Sequence, residues 1–230
     1  MSRATSTLGV TRGRLMGSSW VGVKVFVNDK FAVIPPSFDK KSIDTVRAAL
    51  GTEVVPVDII SAELHGVMVA GNNNGVIFPY QVDEQQVEVI KKNYDVNVQI
   101  LRSSYTALGN LILANSNYAL VYKGFSGEEV RQISDALGVE VERGELGEGF
   151  ATVGSLSVVT DKGLALPPMF SEDELKALEE RFRVKGDIAT VNMGFQYLRL
   201  GLVANSRGAL VGDLSTGTEL VGIERALSFD

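Results

Sequence analysis

Residues 107–122 read ALGNLILANSNYALVY, two apolar runs around the polar knot Asn115-Ser116-Asn117. Asparagine and serine suit a tight turn, because their side chains bond the local backbone and asparagine tolerates left-handed φ. The stretch therefore predicts a hairpin. It nearly recurs at residues 201–212, GLVANSRGALVG, and self-similarity at a fixed distance is the mark of a repeat architecture. Segments that follow a polar turn are FAVIP (31–35), GVIFP (75–79), YALVY (118–122), GLALP (163–167) and GALVG (208–212), and their ends stand 44, 43, 45 and 45 residues apart. Three end in proline, which cannot continue a strand ladder.

A second column supports the first. Eight residues past each ending begins an apolar triplet at i, i+3 and i+7: Ile43/Val46/Leu50, Val87/Ile90/Tyr94, Val130/Ile133/Leu137, Leu175/Leu178/Phe182 and Leu220/Ile223/Leu227. That spacing lays one apolar face along a helix. Ser126, Ser171 and Thr216 each precede a glutamate by three residues, the spacing of a capping box, with Asp83 and Gln86 as a weaker version. Gly51 and Gly138 follow their helices as C-caps. Third strands are expected at 52–59, 96–101 and 139–143. The fifth helix ends near Leu227 and leaves no third strand before Asp230, but GVTRG (9–13) resembles VERG (141–144). The N-terminal segment is thus expected to complete the last unit, and closure would remove exposed sheet edges.

The expected fold class is α/β (α+β): a closed five-bladed pseudo-fivefold α–β propeller of β-β-α-β repeats about 44 residues long. The repeats run over residues 17–60, 61–104, 105–149, 150–192 and 193–230, closed by strand 9–13. Together they make a single domain over 9–230, after a tail at 1–8. An open array would need polar capping ends, which the sequence does not show. Initiation at Met16 rather than Met1 would remove strand 9–13 and leave the ring incomplete.

Composition excludes several kinds of chemistry. No apolar run approaches the roughly 20 residues of a membrane span. The absence of cysteine removes disulfides, a thiolate nucleophile and thiolate metal ligands. His65 is the one histidine, so a histidine triad or zinc site would rest on it alone. A net charge of −6 speaks against diffuse phosphate binding. Arg3, Arg12, Arg14 and Lys24 precede the first acid, Asp29; the N-terminus reads as a solvated tail or as a transit segment. The glycine-rich stretch 144–154 lacks Gly-Lys-Ser/Thr and carries Glu145 and Glu148, so it reads as a crossover rather than a phosphate loop. Asp58 and Asp187 are a conceivable carboxylate pair that nothing in the sequence brings together.

Five such units in a ring resemble the pentein fold. That fold serves guanidine-modifying enzymes, whose covalent step needs a cysteine this chain lacks, and the translation initiation factor 6 family. The chain resembles the latter over about residues 9–230, in TALGNLILANSNYALV (106–121), HGVMVAGNNNGVIFP (65–79) and VGSLSVVTDKGLALPP (153–168). Its short, cysteine-free form looks archaeal. The resemblance implies a cytoplasmic, monomeric, non-enzymatic protein without cofactor. It would bind the large ribosomal subunit, block joining of the small one, and act in subunit maturation and initiation. The implied contact is a ribosomal protein near the sarcin–ricin loop. Release is implied by an elongation-factor-2-type GTPase with a Shwachman–Bodian–Diamond-type partner. A carboxylate-based hydrolase of guanidine-type molecules and a scaffold unrelated to ribosomes are the competing readings.

The candidate contacts are Gly22, Gly66 and Gly109, which with Gly154 hold matching places before the first strand of each unit; in the fifth unit Arg199 aligns there. Asn110 joins them, standing where other units have Val23, Val67 and Ser155. So do the turn residues Asn72 and Asn73, and His65, which stands where Val21, Leu108 and Val153 do. Each has a structural alternative: close backbone approach for the glycines, local backbone bonding for the asparagines, and a buried, hydrogen-bonded role for the histidine.

Overall fold

Apolar runs broken by polar turns and followed by capped helices fold as one unit five times in a computed structural model, which describes residues 8–147 and 149–229. The rest of the tail (1–7), Glu148 and Asp230 lie outside the described residues. The first unit comprises α1 (Val21–Lys24), β2 (Phe26–Val27), β3 (Phe31–Ile34), α2 (Lys40–Leu50) and β4 (Glu53–Pro56), preceded in the chain by β1 (Gly9–Gly13). The second is α3 (His65–Met68), β5 (Ala70–Gly71), β6 (Gly75–Pro79), α4 (Glu84–Asn93) and β7 (Asn97–Leu101). The third is α5 (Leu108–Leu111), β8 (Ile112–Ala114), β9 (Tyr118–Tyr122), α6 (Gly127–Leu137) and β10 (Glu140–Gly144). The fourth is α7 (Val153–Leu156), β11 (Val158–Val159), β12 (Gly163–Leu166), α8 (Glu172–Phe182) and β13 (Lys185–Ile188). The fifth is α9 (Leu198–Gly201), β14 (Leu202–Ala204), β15 (Gly208–Gly212) and α10 (Gly217–Ala226).

Each unit makes one three-stranded sheet of an antiparallel hairpin and a parallel strand, which in the first four units is reached through the long helix. The middle strands β3, β6, β12 and β15 are buried along their length, and β9 all but its last residue. That is why they read as unbroken apolar runs. β1 supplies the third strand of the fifth sheet. It pairs parallel with β15 from Gly9↔Gly208 to Gly13↔Gly212, as β10 pairs with β9 from Glu140↔Tyr118 to Gly144↔Tyr122.

Capping boxes form at Ser126/Glu129, Ser171/Glu174 and Thr216/Glu219. Asp83 caps α4 through the Gln85 N–H, but Gln86 accepts from the Asp58 N–H instead of closing the box. Gly51 and Gly138 end α2 and α6 at left-handed φ of 60° and 64°. Of the helix triplets, the second and third residues are buried, except Tyr94, which lies just past α4 and is half-buried.

The structure differs from the sequence reading in its short helices. The glycines of the recurring column precede the first strand as expected, but each sits in a four-residue helix that the sequence reading did not contain, α1, α3, α5 or α7. One turn is too short for periodicity to register, and none of the short helices, α9 included, has a side-chain cap. They pack on one another in the order α1, α3, α5, α7, α9, and α9 also packs on α1. Here glycine is required. A Cβ on Gly66 would lie 1.7 Å from the Gly22 carbonyl oxygen, and one on Gly109 2.2 Å from that of Gly66. One on Gly154 would lie 2.2 Å from that of Gly109, and one on Gly22 1.9 Å from that of Arg199.

A second set of bonds joins the units at the hairpin turns. The Asn28 Nδ2 donates to the Asn72 carbonyl (2.9 Å), Asn72 to Asn115 (2.9 Å), Asn115 to Thr160 (3.2 Å), and Asn205 to Asn28 (3.2 Å). Asn72, Asn115 and Asn205 also donate to the helix-end carbonyls of Leu137, Phe182 and Leu50. Each of these asparagines accepts, on Oδ1, from the two N–H groups that close its own turn, as Asn72 does from Asn74 and Gly75. Thr160 keeps the turn bonds through Oγ1 but has no amide to donate onward. The apolar core follows the same order: Leu15, Val21 and Ile34 pack with Val203 and Leu210, which joins the fifth unit to the first.

Candidate functional site: the short-helix face and the hollow between the units

The inner strands β2, β5, β8, β11 and β14 carry a short helix at one end and a polar turn at the other. This fixes two candidate regions. At the helix end, Gly22, Gly66 and Gly109 are buried against their neighbours' carbonyls. His65 is fully buried, its Nε2 2.6 Å from the Val57 carbonyl oxygen and its Nδ1 without a partner. Burial pushes its pKa below the usual histidine value, against a smaller upward pull from the Val57 carbonyl. Asn110 is half-buried, and its Oδ1 has no partner among the described residues. The local side-chain-to-backbone bond that would account for it is therefore absent from that oxygen.

The loops that feed the short helices present apolar side chains outward. Met193 is 74% exposed and Ile60 60%, with Leu64, Trp20 and Met16 also exposed. They belong to the fifth, first and second units, which are neighbours, and Trp20 stacks edge-on against Phe195 with ring centroids 4.7 Å apart. Met16, Ile60, Ser61, Asn192 and Met193 all hold left-handed φ. For a β-branched residue such as Ile60 that is a strained backbone. Glu219 anchors the Met193 loop: its carboxylate accepts from the Gly194 N–H (2.8 Å), the Thr190 hydroxyl (2.9 Å) and the Met193 N–H (3.2 Å). Burial opposes that charge, but the bonds from Thr216, Gly194 and Thr190 prevail and hold its pKa below the usual range. This patch was not foreseen from the sequence. Its loop positions recur, with left-handed φ at Met16, Ile60, Gly147 and Asn192, but their side-chain types do not, and the signal that could have found it was the excess of Met, Ile, Leu and Trp in loop positions.

At the turn end, Asn72 is buried as turn former and clamp. Asn73 is half-buried and donates through Nδ2 to Asp29 and to Asp161, both at 2.6 Å. Ser116 donates to Asp161 from N–H and hydroxyl, and the Ser206 N–H donates to Asp29. Between the two ends lies a hollow to which every unit contributes, its waist made by Val27, Gly71, Ala114, Val159 and Ala204. Asp58 and Asp187 are not brought together: Asp58 accepts from the Ser61 N–H, and Asp187 pairs with Arg225. No group of three or more His, Cys, Asp or Glu side chains suited to a metal occurs among the described residues, and no described helix is long and apolar enough to cross a membrane.

Residues 10–226 match the model of the eIF-6 family. The chain is 40% identical over 222 residues to translation initiation factor 6 of Saccharolobus islandicus, covering 96% of this chain and 99% of that one. It is 40% identical over 217 residues to translation initiation factor 6 of Pyrococcus horikoshii, covering 92% and 95%, and 37% identical over 222 residues to that of Staphylothermus marinus, covering 95% and 97%.

Proposed function

The chain belongs to the eIF-6 family of translation initiation factors, which are not enzymes, and on that premise we propose that it is a ribosome anti-association factor. It binds the joining face of the large ribosomal subunit and occupies volume that the small subunit needs. The mechanism is steric and requires neither turnover nor cofactor. It works only if the body is rigid, and we take the five units to form a closed five-bladed propeller of the pentein kind, a single domain over 9–230. Supporting this are the packing of α9 on α1, the Asn205-to-Asn28 bond, and β1 in the fifth sheet.

The observation that carries the docking surface is the short-helix face. Met193, Ile60, Leu64 and Trp20 are exposed in the loops that feed the short helices of the fifth, second and first units, which pack on one another, and we read these exposed apolar side chains as one interaction site. Asn110 lies on the same side, half-buried, with its Oδ1 turned inward and without a partner among the described residues. Gly22, Gly66, Gly109 and His65 are read as holding this face in shape rather than touching the partner, and Asn72 and Asn73 as doing so at the turn end. A net charge of −6 complements basic ribosomal proteins better than bare phosphate, which favours the protein near the sarcin–ricin loop as the contact. Cytoplasmic location, a monomeric state, a role in large-subunit maturation, and release by an elongation-factor-2-type GTPase with a Shwachman–Bodian–Diamond-type partner complete the proposal. A joining assay by light scattering tests it. Added protein is expected to lower the fraction of joined ribosomes, and Met193→Asp with Leu64→Asp to abolish the effect while keeping the melting curve. Undiminished joining at saturating protein would overturn the reading.

A further inference from the structure

Four units place glycine where their short helices meet; the fifth places Arg199. The repeat does not ask for arginine there, so its side chain needs its own explanation. It enters the hollow between the units, lined by Phe26, Val27, Ala114, Val158, Leu202 and Val203 among others. Apart from Arg199 the lining side chains are apolar or absent, but the accessible wall is more polar than apolar. Among the described residues no carboxylate pairs with the guanidinium, and no charge acts on it besides the loss of water. Arg199 is half-buried and lines this space. Burial pushes its pKa down to about 10, so it stays cationic at neutral pH. A guanidinium carries five N–H donors and no acceptor, so its partner in this space has to be an acceptor or an anion.

We infer that the hollow beside Arg199 is a binding site for one small inorganic anion, chloride in water containing salt. The cavity is about 30 Å³, room for a couple of waters or one small inorganic anion. The opposite hollow is no competitor, since Asp29 and Asp161 line it and would repel an anion. The bound ion would neutralise α9 beside its contact with Gly22, where the fifth unit meets the first.

Crystals soaked in bromide, with anomalous diffraction at the bromine edge, locate the ion directly. A peak in the hollow within hydrogen-bond reach of the Arg199 guanidinium is expected. Melting of the full chain is measured alongside in chloride and in gluconate at equal ionic strength. A saturable rise of about 5 °C specific to chloride is expected, and Arg199→Leu, which matches the apolar lining, should lose it. Should that variant fail to fold, the bromide map of the unmodified chain decides alone. Water density only, equal melting in the two salts, or a chloride effect that survives in Arg199→Leu would each overturn the site.

Discussion

Gly66 has no room for a methyl group, because the Gly22 carbonyl oxygen would stand 1.7 Å from it. Gly66→Ala is expected to destabilise the fold by about 3 kcal/mol through forced backbone shifts, read from denaturant unfolding. Gly127→Ala, with open space around it, should change stability by no more than about 0.5 kcal/mol. His65 gives a pH dependence. Its folded-state pKa is depressed by burial, so the unfolded chain takes up the proton first. Stability is full above about pH 6.5 and falls as pH drops from there towards the depressed folded value. His65→Leu, the residue found at this place as Leu108 and Leu198, should flatten unfolding free energy against pH just below about pH 6.5; an unchanged slope would contradict the assignment. Thr160 is the gap in the asparagine clamps. Thr160→Asn is expected to add about 1 kcal/mol by donating towards the Asn205 carbonyl, visible as a higher melting temperature. The turn-forming role of Asn72 and Asn115 was legible because it is local. Their donation to the next unit was not, because it depends on how units sit side by side.

At the scale of elements, the N-terminal strand is the informative piece. β1 fills the third place of the fifth sheet, and Leu15 just beyond it is fully buried in the core shared by the first and fifth units. Burying a leucine alone is worth about 1.5–3 kcal/mol. Deleting residues 1–15 also exposes the edge of β15. Melting is expected to fall by more than about 10 °C, and an unchanged curve would remove β1 from the account. The hairpins and long helices were readable because apolar spacing, capping residues and turn residues agree in every unit. The short helices were not: a single uncapped turn leaves no periodic trace. The weaker cap at α4 shows the limit from the other side. Gln86 had the right spacing, but tertiary structure gave its side chain another partner in Asp58.

For the whole molecule, five sheets arranged as a pseudo-fivefold repeat followed from column arithmetic on the sequence, because every unit repeats the same spacings. The docking surface did not follow. Gly22, Gly66, Gly109, His65 and Asn72 were chosen for their place in the repeat, and the structure buries them. Residues that recur are those the fold uses, whereas Met193, Ile60 and Leu64 stand out only once exposure is known. Arg199 lies between these cases, since its departure from the glycine column was visible but its surroundings were not. The measurement that bears most directly on the central claim is co-sedimentation with purified large and small ribosomal subunits at physiological salt. Stoichiometric pelleting with the large subunit alone is expected, lost in Met193→Asp combined with Leu64→Asp. Binding to neither subunit, or equally to both, would contradict the anti-association account.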